Sequence, residues 1–142
     1  IEEFLRLHPQ APVRLADYVP RDALARHLAS ADIHLASLEP SWDGTMVPSK
    51  LQGIFASGRP VLLVGSRTSA MGRWVLESGA GWVVPPGDCS AIRTALKEAA
   101  DVQIRLAKGR AALNFASTCF DQATNVSAVA ATLAVNPAAN RS

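Results

Sequence analysis

Two hydrophobic patterns alternate along this chain of 142 residues: short apolar runs, and longer stretches in which apolar side chains recur every three or four positions. The runs are typical of strands, and the recurring positions are typical of helices. The predicted strands are Val13–Ala16, Ile33–Leu38, Pro60–Val64 and Gly81–Val84. The predicted helices cover residues 1–8, 21–30, 48–58, 69–77 and 88–101, and an Ala-rich helical region follows with breaks near Gly109 and Cys119–Phe120.

The order of these elements predicts the fold class. Pro60–Val64 is a nearly continuous apolar run, which suits a strand buried on both faces of a parallel sheet. Strands that alternate with helices form right-handed crossovers, so we expect an α/β protein: a Rossmann-like parallel sheet with helices on both faces. Ligands of such sheets bind beyond the carboxyl ends of the strands. The loops in that position are residues 17–20, 38–48, 65–69 and 85–88.

Composition narrows the classes of function. Fourteen Lys and Arg against twelve Asp and Glu give a net charge of +2, which argues against a nucleic-acid partner because such proteins concentrate basic residues on one face. No apolar run reaches the ~20 residues of a membrane span, which favours a soluble, cytoplasmic protein. The three histidines share no metal-binding spacing. The two cysteines, Cys89 and Cys119, are predicted to be reduced thiols in the core.

The two ends of the sequence differ in character. Residues 1–8 read as the apolar face of a helix with no capping residue before it, so we expect the chain to begin inside a larger protein. Residues 136–142 are small and polar, and they predict a disordered tail. The predicted organisation is therefore a partial, N-terminally truncated Rossmann-like domain at residues 1–135, followed by a tail at 136–142.

The most informative stretch runs from Trp42 to Leu51. A glycine-containing loop leads into a predicted helix whose first turn holds Pro48, Ser49 and Lys50. Free N–H groups at a helix start, the positive end of the helix dipole and a lysine together form an anion site. A diphosphate is the natural ligand for it. The alternative is purely structural: Ser49 caps the helix and Lys50 is a solvated charge.

Three short segments follow one another in this part of the sequence. They are Trp42-Asp-Gly, Val47-Pro-Ser-Lys-Leu and Ala56-Ser-Gly-Arg-Pro-Val-Leu62. Supporting segments fall in order at Asp17–Arg26, Ser30–Ile33 and Ser78–Asp88. With these segments the sequence resembles the C-terminal domain of family 4 glycosyltransferases of the GT-B fold, and within them the bacterial group that makes surface polysaccharides. The resemblance covers residues 1–118 or so.

The resemblance implies a glycosyltransferase whose donor domain binds a nucleotide-diphosphate sugar, while a missing N-terminal domain supplies the acceptor site. The amides at Ser49 and Lys50 would meet the diphosphate, the loop from Gly44 to Val47 would line the sugar hydroxyls, and Tyr18 and Val19 would border the nucleobase. The substrate-binding residues implied in this way are Tyr18, Val19, Asp43, Gly44, Thr45, Met46, Val47, Pro48, Ser49, Lys50 and Gly53.

The resemblance also implies a reaction. The parent enzyme would transfer the sugar to a saccharide or lipid-linked acceptor, with retention of configuration and with neither a metal nor another cofactor. Its catalytic residues are left open, and the isolated fragment is expected to be inactive. Peripheral association with a membrane through the parent protein is compatible with this activity.

The chain departs from the family at two acidic positions. Many members carry two glutamates separated by seven residues, and these positions are Thr45 and Gly53 here. Asp43 is then the candidate for a sugar-binding carboxylate, and Trp42 either stacks on a base or sugar or packs on the domain edge. Two other functions stay open: a nucleotide-sugar epimerase of GT-B-like architecture, which needs catalytic carboxylates facing the sugar, and a non-catalytic nucleotide-sugar-binding or interaction module.

Overall fold

The computed structural model describes residues 2–42, 49–120 and 126–127. The helices are α1 (Glu2–Leu7), α2 (Leu24–Ala29), α3 (Ser49–Ala56), α4 (Ala70–Ser78), α5 (Cys89–Ala99) and α6 (Val102–Cys119). The strands are β1 (His34–Ser37), β2 (Val61–Val64) and β3 (Gly81–Val84), and a short 3-10 helix covers Pro40–Trp42. Within this part of the chain, no helix has both the length and the apolar character that a membrane crossing needs.

The three strands form one parallel sheet in the order β1-β2-β3. Val61 of β2 lies opposite His34 on one side and Gly81 on the other, and the register continues in step to the ends of all three strands. Each crossover between neighbouring strands contains a helix, α3 in the first and α4 in the second. The predicted α/β class with a parallel, Rossmann-like sheet is confirmed.

Both faces of the sheet carry core residues, as the apolar run of β2 predicts. Val61 and Leu63 pack on one face with side chains of α3, α4 and α6, including the fully buried Phe55. Leu62 packs on the opposite face with Ala95 of α5. Helices therefore cover both faces, because successive side chains of a strand point to opposite sides.

Local signals in the sequence set the helix ends. The Ser69 hydroxyl accepts a hydrogen bond from the Gly72 amide at 3.0 Å, and the Asp88 carboxylate accepts one from the Ala91 amide at 2.9 Å. These side chains satisfy N–H groups that the first turn of a helix leaves without a backbone partner. Gly79 ends α4 in the left-handed conformation, with φ of 68°.

The prediction of a strand at Val13–Ala16 is wrong. These residues are extended without regular structure, and the side chains of Val13 and Leu15 stay about half exposed. In the described part of the chain, β1 pairs with β2 alone and its outer edge has no neighbour. A strand gains its backbone hydrogen bonds only from an adjacent strand, so a strand-like segment without one stays irregular.

Two further predictions are wrong for reasons of packing. The expected break at Gly109 is absent, because α6 continues from Val102 to Cys119; the expected end near Phe120 is confirmed. The cysteines are exposed rather than in the core. Cys89 begins α5 and Cys119 ends α6, and both positions lie at helix ends that face solvent.

Gly109 is kept in α6 by a close backbone approach. A Cβ atom built at Gly109 would collide with the carbonyl oxygen of Gly58, which follows α3 with φ of 67°. Both glycines therefore take part in one contact, in which the backbone of α6 at Gly109 packs directly against the backbone of Gly58 at the end of α3. This contact lets the small side chains of Ala112 and Ala116 reach the core.

We expect Gly109→Ala to lower the free energy of unfolding by ~1–3 kcal/mol, the range for forcing extra atoms into a tight site. Helix propensity alone predicts the opposite change, a gain of about 1 kcal/mol, because alanine is the better helix former. The sign of the change therefore separates the backbone contact from propensity. Urea unfolding followed by circular dichroism measures it.

The control is Ala107→Gly on the exposed side of the same helix. It changes propensity without touching the contact, so we expect a loss of about 1 kcal/mol. A Gly109→Ala protein more stable than the wild type would contradict the close approach of α6 to Gly58.

Candidate functional site

The carboxyl ends of the three strands lie at one edge of the sheet, because the strands are parallel. Each strand there leads through a loop into a helix: β1 into α3, β2 into α4 and β3 into α5. Helix starts carry free N–H groups and the positive end of the helix dipole. This edge therefore combines three loops and three positive helix ends, which is the usual place for ligands of α/β proteins.

The loop after β1 is held in place where it leaves the sheet. Leu38 is buried, and its amide donates to the carbonyl oxygen of Val64 at 3.1 Å. Gly65 packs against the Leu38 backbone, where an added Cβ would lie 3.3 Å from the Leu38 oxygen. The Trp42 amide then donates to Glu39 O at 2.9 Å within the 3-10 helix, and the Trp42 side chain is half exposed.

Helix α3 covers Ser49–Ala56. Its predicted start, Pro48, lies outside the described residues. Its inner side is fixed by Leu51 and Phe55, both 0% exposed, while Lys50 next to them is exposed. The core therefore positions the helix, and its first turn presents Lys50 to solvent at the carboxyl edge. The Pro-Ser-Lys sequence predicts an anion site at this turn, and that role stays a prediction.

The remaining predicted loop residues lie outside the described part of the chain, so their roles stay predictions. They are the candidates for sugar contact and the proline before α3: Asp43, Gly44, Thr45, Met46, Val47 and Pro48. The predicted tail at 136–142 also lies outside it. Of the loop that the sequence singled out, the structure places its first residues and the helix that follows it.

Tyr18 and Val19 lie in the irregular segment before α2. The Tyr18 side chain is fully exposed and packs against none of the described residues, while Val19 is half-buried. The predicted place of these residues at the nucleobase stays a prediction.

Gly53 lies one turn after Lys50 and faces another helix. A Cβ atom at Gly53 would be 3.3 Å from Cδ1 of Leu28 in α2. Helix α2 therefore packs on α3 at the position where many members of the resembled family carry a glutamate. His34 supports this arrangement, since its Nε2 donates to the carbonyl oxygen of Leu28 at 2.9 Å.

Sequence reasoning assigned no role to the side chains of the neighbouring loop, Gly65–Ser69. The Ser66 hydroxyl lies 2.8 Å from the Thr68 hydroxyl and accepts from the Thr68 amide at 3.1 Å. The Arg73 guanidinium donates to Thr68 O at 2.7 Å, and Arg67 is exposed beside it. A run of hydroxyl residues between a buried strand and a helix is the signal that could have predicted this turn. It adds two cationic side chains to the carboxyl edge.

The described residues bring no three His, Cys, Asp or Glu side chains together in a way that could hold a metal ion. The charged groups placed at the carboxyl edge include Lys50, Arg67 and Arg73, which are cationic. Glu39 and Asp88, which follow β1 and β3 at the same edge, are acidic.

The chain is similar to two curated glycosyltransferases. It is 32% identical, over 77 residues, to "Probable glycosyltransferase WbjE" of Pseudomonas aeruginosa, which is 54% of this chain and 19% of that protein. It is 32% identical, over 101 residues, to "Amylovoran biosynthesis glycosyltransferase AmsK" of Erwinia amylovora, which is 70% of this chain and 23% of that protein. The matches thus span about a fifth of these relatives. No protein-family model matches the chain, and no solved structure matches it significantly.

The contact between Gly53 and Leu28 predicts how position 53 responds to an acidic side chain. We expect Gly53→Glu to lower the free energy of unfolding by ~1–3 kcal/mol, because Leu28 must move to admit it. Leu28→Ala in the same chain should recover part of this loss, giving a coupling of ~0.5 kcal/mol or more. Urea unfolding of the two single variants and the double variant measures the coupling.

Gly53→Ala is the matched control. Its single methyl needs only a small shift of the flexible Leu28 side chain, and alanine favours the helix, so we expect stability within about 1 kcal/mol of the wild type. Strictly additive effects of Gly53→Glu and Leu28→Ala would contradict the packing of α2 on α3 at this position.

Proposed function

We propose that this chain is the nucleotide-sugar-binding part of a glycosyltransferase that acts in the synthesis of a cell-surface polysaccharide. The observation that carries the proposal is the start of α3, where Ser49 and the exposed Lys50 lie at the carboxyl edge of a parallel sheet. The similarity to two glycosyltransferases, one of them named for amylovoran biosynthesis, supports the same conclusion.

The diphosphate of the donor is proposed to bind at this helix start. The N–H groups in the first turn of a helix have no partner within that helix, so those of Ser49 and Lys50 are proposed to donate to phosphate oxygens. The Lys50 ammonium adds a charge-assisted hydrogen bond. During transfer the bond between the sugar and the diphosphate breaks, and negative charge grows on the leaving diphosphate. Fixed positive groups at its oxygens stabilise that charge.

The rest of the donor is assigned by the resemblance. The loop from Gly44 to Val47 would line the sugar hydroxyls, Asp43 would supply a carboxylate to the sugar, and Tyr18 and Val19 would border the base. Retention of configuration and a saccharide or lipid-linked acceptor belong to the same proposal.

The acceptor site is proposed to lie in another part of a longer protein. The matches span about a fifth of the two relatives, and the outer edge of β1 has no neighbouring strand among the described residues. On that edge strand Leu35 is 72% exposed, far more than the buried Leu62 beside it in register. A further strand beside β1, connected through a helix packed on the face that carries Leu35, would cover this side chain. We therefore propose that these 142 residues bind the donor without transferring its sugar.

Lys50→Ala, made in the longer protein, should weaken the binding of a nucleoside diphosphate by ~1–3 kcal/mol, the range for hydrogen bonds to charged groups. Ser49→Ala should cost less, because its backbone N–H remains and only the hydroxyl is removed. Calorimetric titration of each variant with the nucleoside diphosphate measures the differences.

Lys97→Ala is the control. Lys97 is an exposed lysine in the last turn of α5, at the opposite end of the helix from the carboxyl edge, and its removal should leave the affinity unchanged. Equal affinities of Lys50→Ala and wild type would contradict the proposed site.

A further inference from the structure

A groove lies along β3, away from the start of α3. Its volume is about 520 Å³, and all four residues of β3 line it together with side chains of α4 and α5. From α5 it takes Ser90, Thr94 and Glu98, which are spaced by four positions and therefore share one face of the helix. We call this feature the edge groove.

The backbone of β3 supplies hydrogen-bonding groups to the edge groove. The carbonyl oxygens of Ala80 and Val84 accept bonds at 3.1 and 2.9 Å from the first residue of β2 and the residue after it. Backbone groups alternate between the two sides of a strand, so Gly81 and Val83 direct theirs away from β2. Among the described strands β3 pairs with β2 alone, so these groups face the edge groove.

Two side chains make this edge a poor place for an added peptide strand. The Lys108 ammonium of α6 donates to the carbonyl oxygen of Gly81 at 3.1 Å and so covers it. Pro85, directly after β3, has no N–H to offer. An added strand needs a row of open backbone groups, and lysine and proline both interrupt such a row. Between them, Val83 presents one donor and one acceptor, which suits a smaller polar ligand.

The charged side chains around the edge groove are of both signs. Arg67 lines it near the carboxyl edge, beside Asp88, whose Oδ1 accepts from the first turn of α5 at 2.9 Å. At the other end of β3 stand Lys108 and Glu98. A strongly anionic ligand would meet two carboxylates there, and a cationic ligand two cations. A neutral ligand rich in both donors and acceptors fits these groups best.

The indole of Trp82 is held in place at the edge groove. Its Nε1 donates to Oε2 of Glu98 at 2.7 Å, and the Lys108 ammonium lies 4.8 Å from the ring centroid. Trp82 is half-buried and lines the edge groove, so part of its apolar surface remains open there. A fixed aromatic ring beside polar groups suits a ligand that has both an apolar face and hydroxyls.

We propose that the edge groove is a saccharide-binding site. The C–H face of a sugar ring packs on Trp82, and its hydroxyls bond to Arg67, Asp88 and the backbone of Val83. This site is separate from the diphosphate site proposed at the start of α3, and it does not depend on that site. It would hold a neutral sugar without a nucleotide.

Amide and indole NMR of the 142-residue chain tests the proposal, with maltose, lactose and mannobiose as probes. We expect at least one of them to give saturable shifts of the Trp82 indole and of the amides of Val83 and Thr94. Arg67→Ala should weaken this binding about tenfold, as the loss of a hydrogen bond to a charged group does. Arg93→Ala is the matched control, because this exposed arginine of α5 does not line the edge groove, and the affinity should stay unchanged.

Trp82→Phe identifies the indole signal among the three tryptophans and is itself expected to weaken binding, since its ring is smaller. The dispersion of its amide spectrum checks that the fold is kept. The absence of shifts at β3 and α5 with all three sugars would overturn the proposal. So would shifts at β3 caused by an extended peptide of valine and threonine but by no sugar. Sugar-induced shifts confined to the start of α3 would also overturn it, while leaving the proposed donor site intact.

Discussion

Strand β2 is buried on both of its faces, and the rest of the architecture follows from that burial. Val61 and Leu63 need apolar cover on one side and Leu62 on the other, with exposures of 0–2%. Helices α3, α4 and α6 supply the first cover and α5 supplies the second. A parallel sheet is the arrangement that returns the chain through a helix each time. It therefore sends every loop that leads from a strand into a helix to the same edge, where the positive ends of several helices lie together.

The same burial separates a fixed part of the candidate site from an exposed part. Leu51 and Phe55 lock α3 into the core, while Lys50 beside them faces solvent. The backbone contact between Gly58 and Gly109 then fixes the far end of α3 against α6. A helix held in this way keeps the backbone N–H groups of its first turn in place. Preorganised N–H groups of that kind suit an anion, because binding then needs no rearrangement of the backbone.

Sequence reasoning predicted the features that depend on local chemistry. The apolar run at β2 and the helices expected at residues 69–77 and 88–101 follow from short-range rules, and the structure confirms them as β2, α4 and α5. The position of the turn at Ser49 and Lys50 could also be predicted, because a strand-to-helix switch in a parallel sheet fixes where that turn lies. The anion site at this turn stays a prediction.

The features that depend on distant neighbours were not predictable. The segment at Val13–Ala16 has the apolar residues of a strand, but no strand lies beside it. Gly109 predicts a helix break from the sequence alone, and only the structure shows that it packs against the Gly58 carbonyl. The packing of Leu28 on Gly53 is a long-range contact of the same kind. No pattern in one segment reveals which other segment approaches it, so these contacts required the folded chain.

The central claim is that an anionic donor binds at the carboxyl edge, beside the start of α3. Amide NMR of the 142-residue chain, titrated with uridine diphosphate and separately with guanosine diphosphate, tests it directly and detects weak binding. The account predicts saturable shifts at Lys50 and Leu51 and in the loop Gly65–Ser69, with α5 near Lys97 unchanged. Shifts confined to other regions, or none at the start of α3 with either nucleotide, would contradict it.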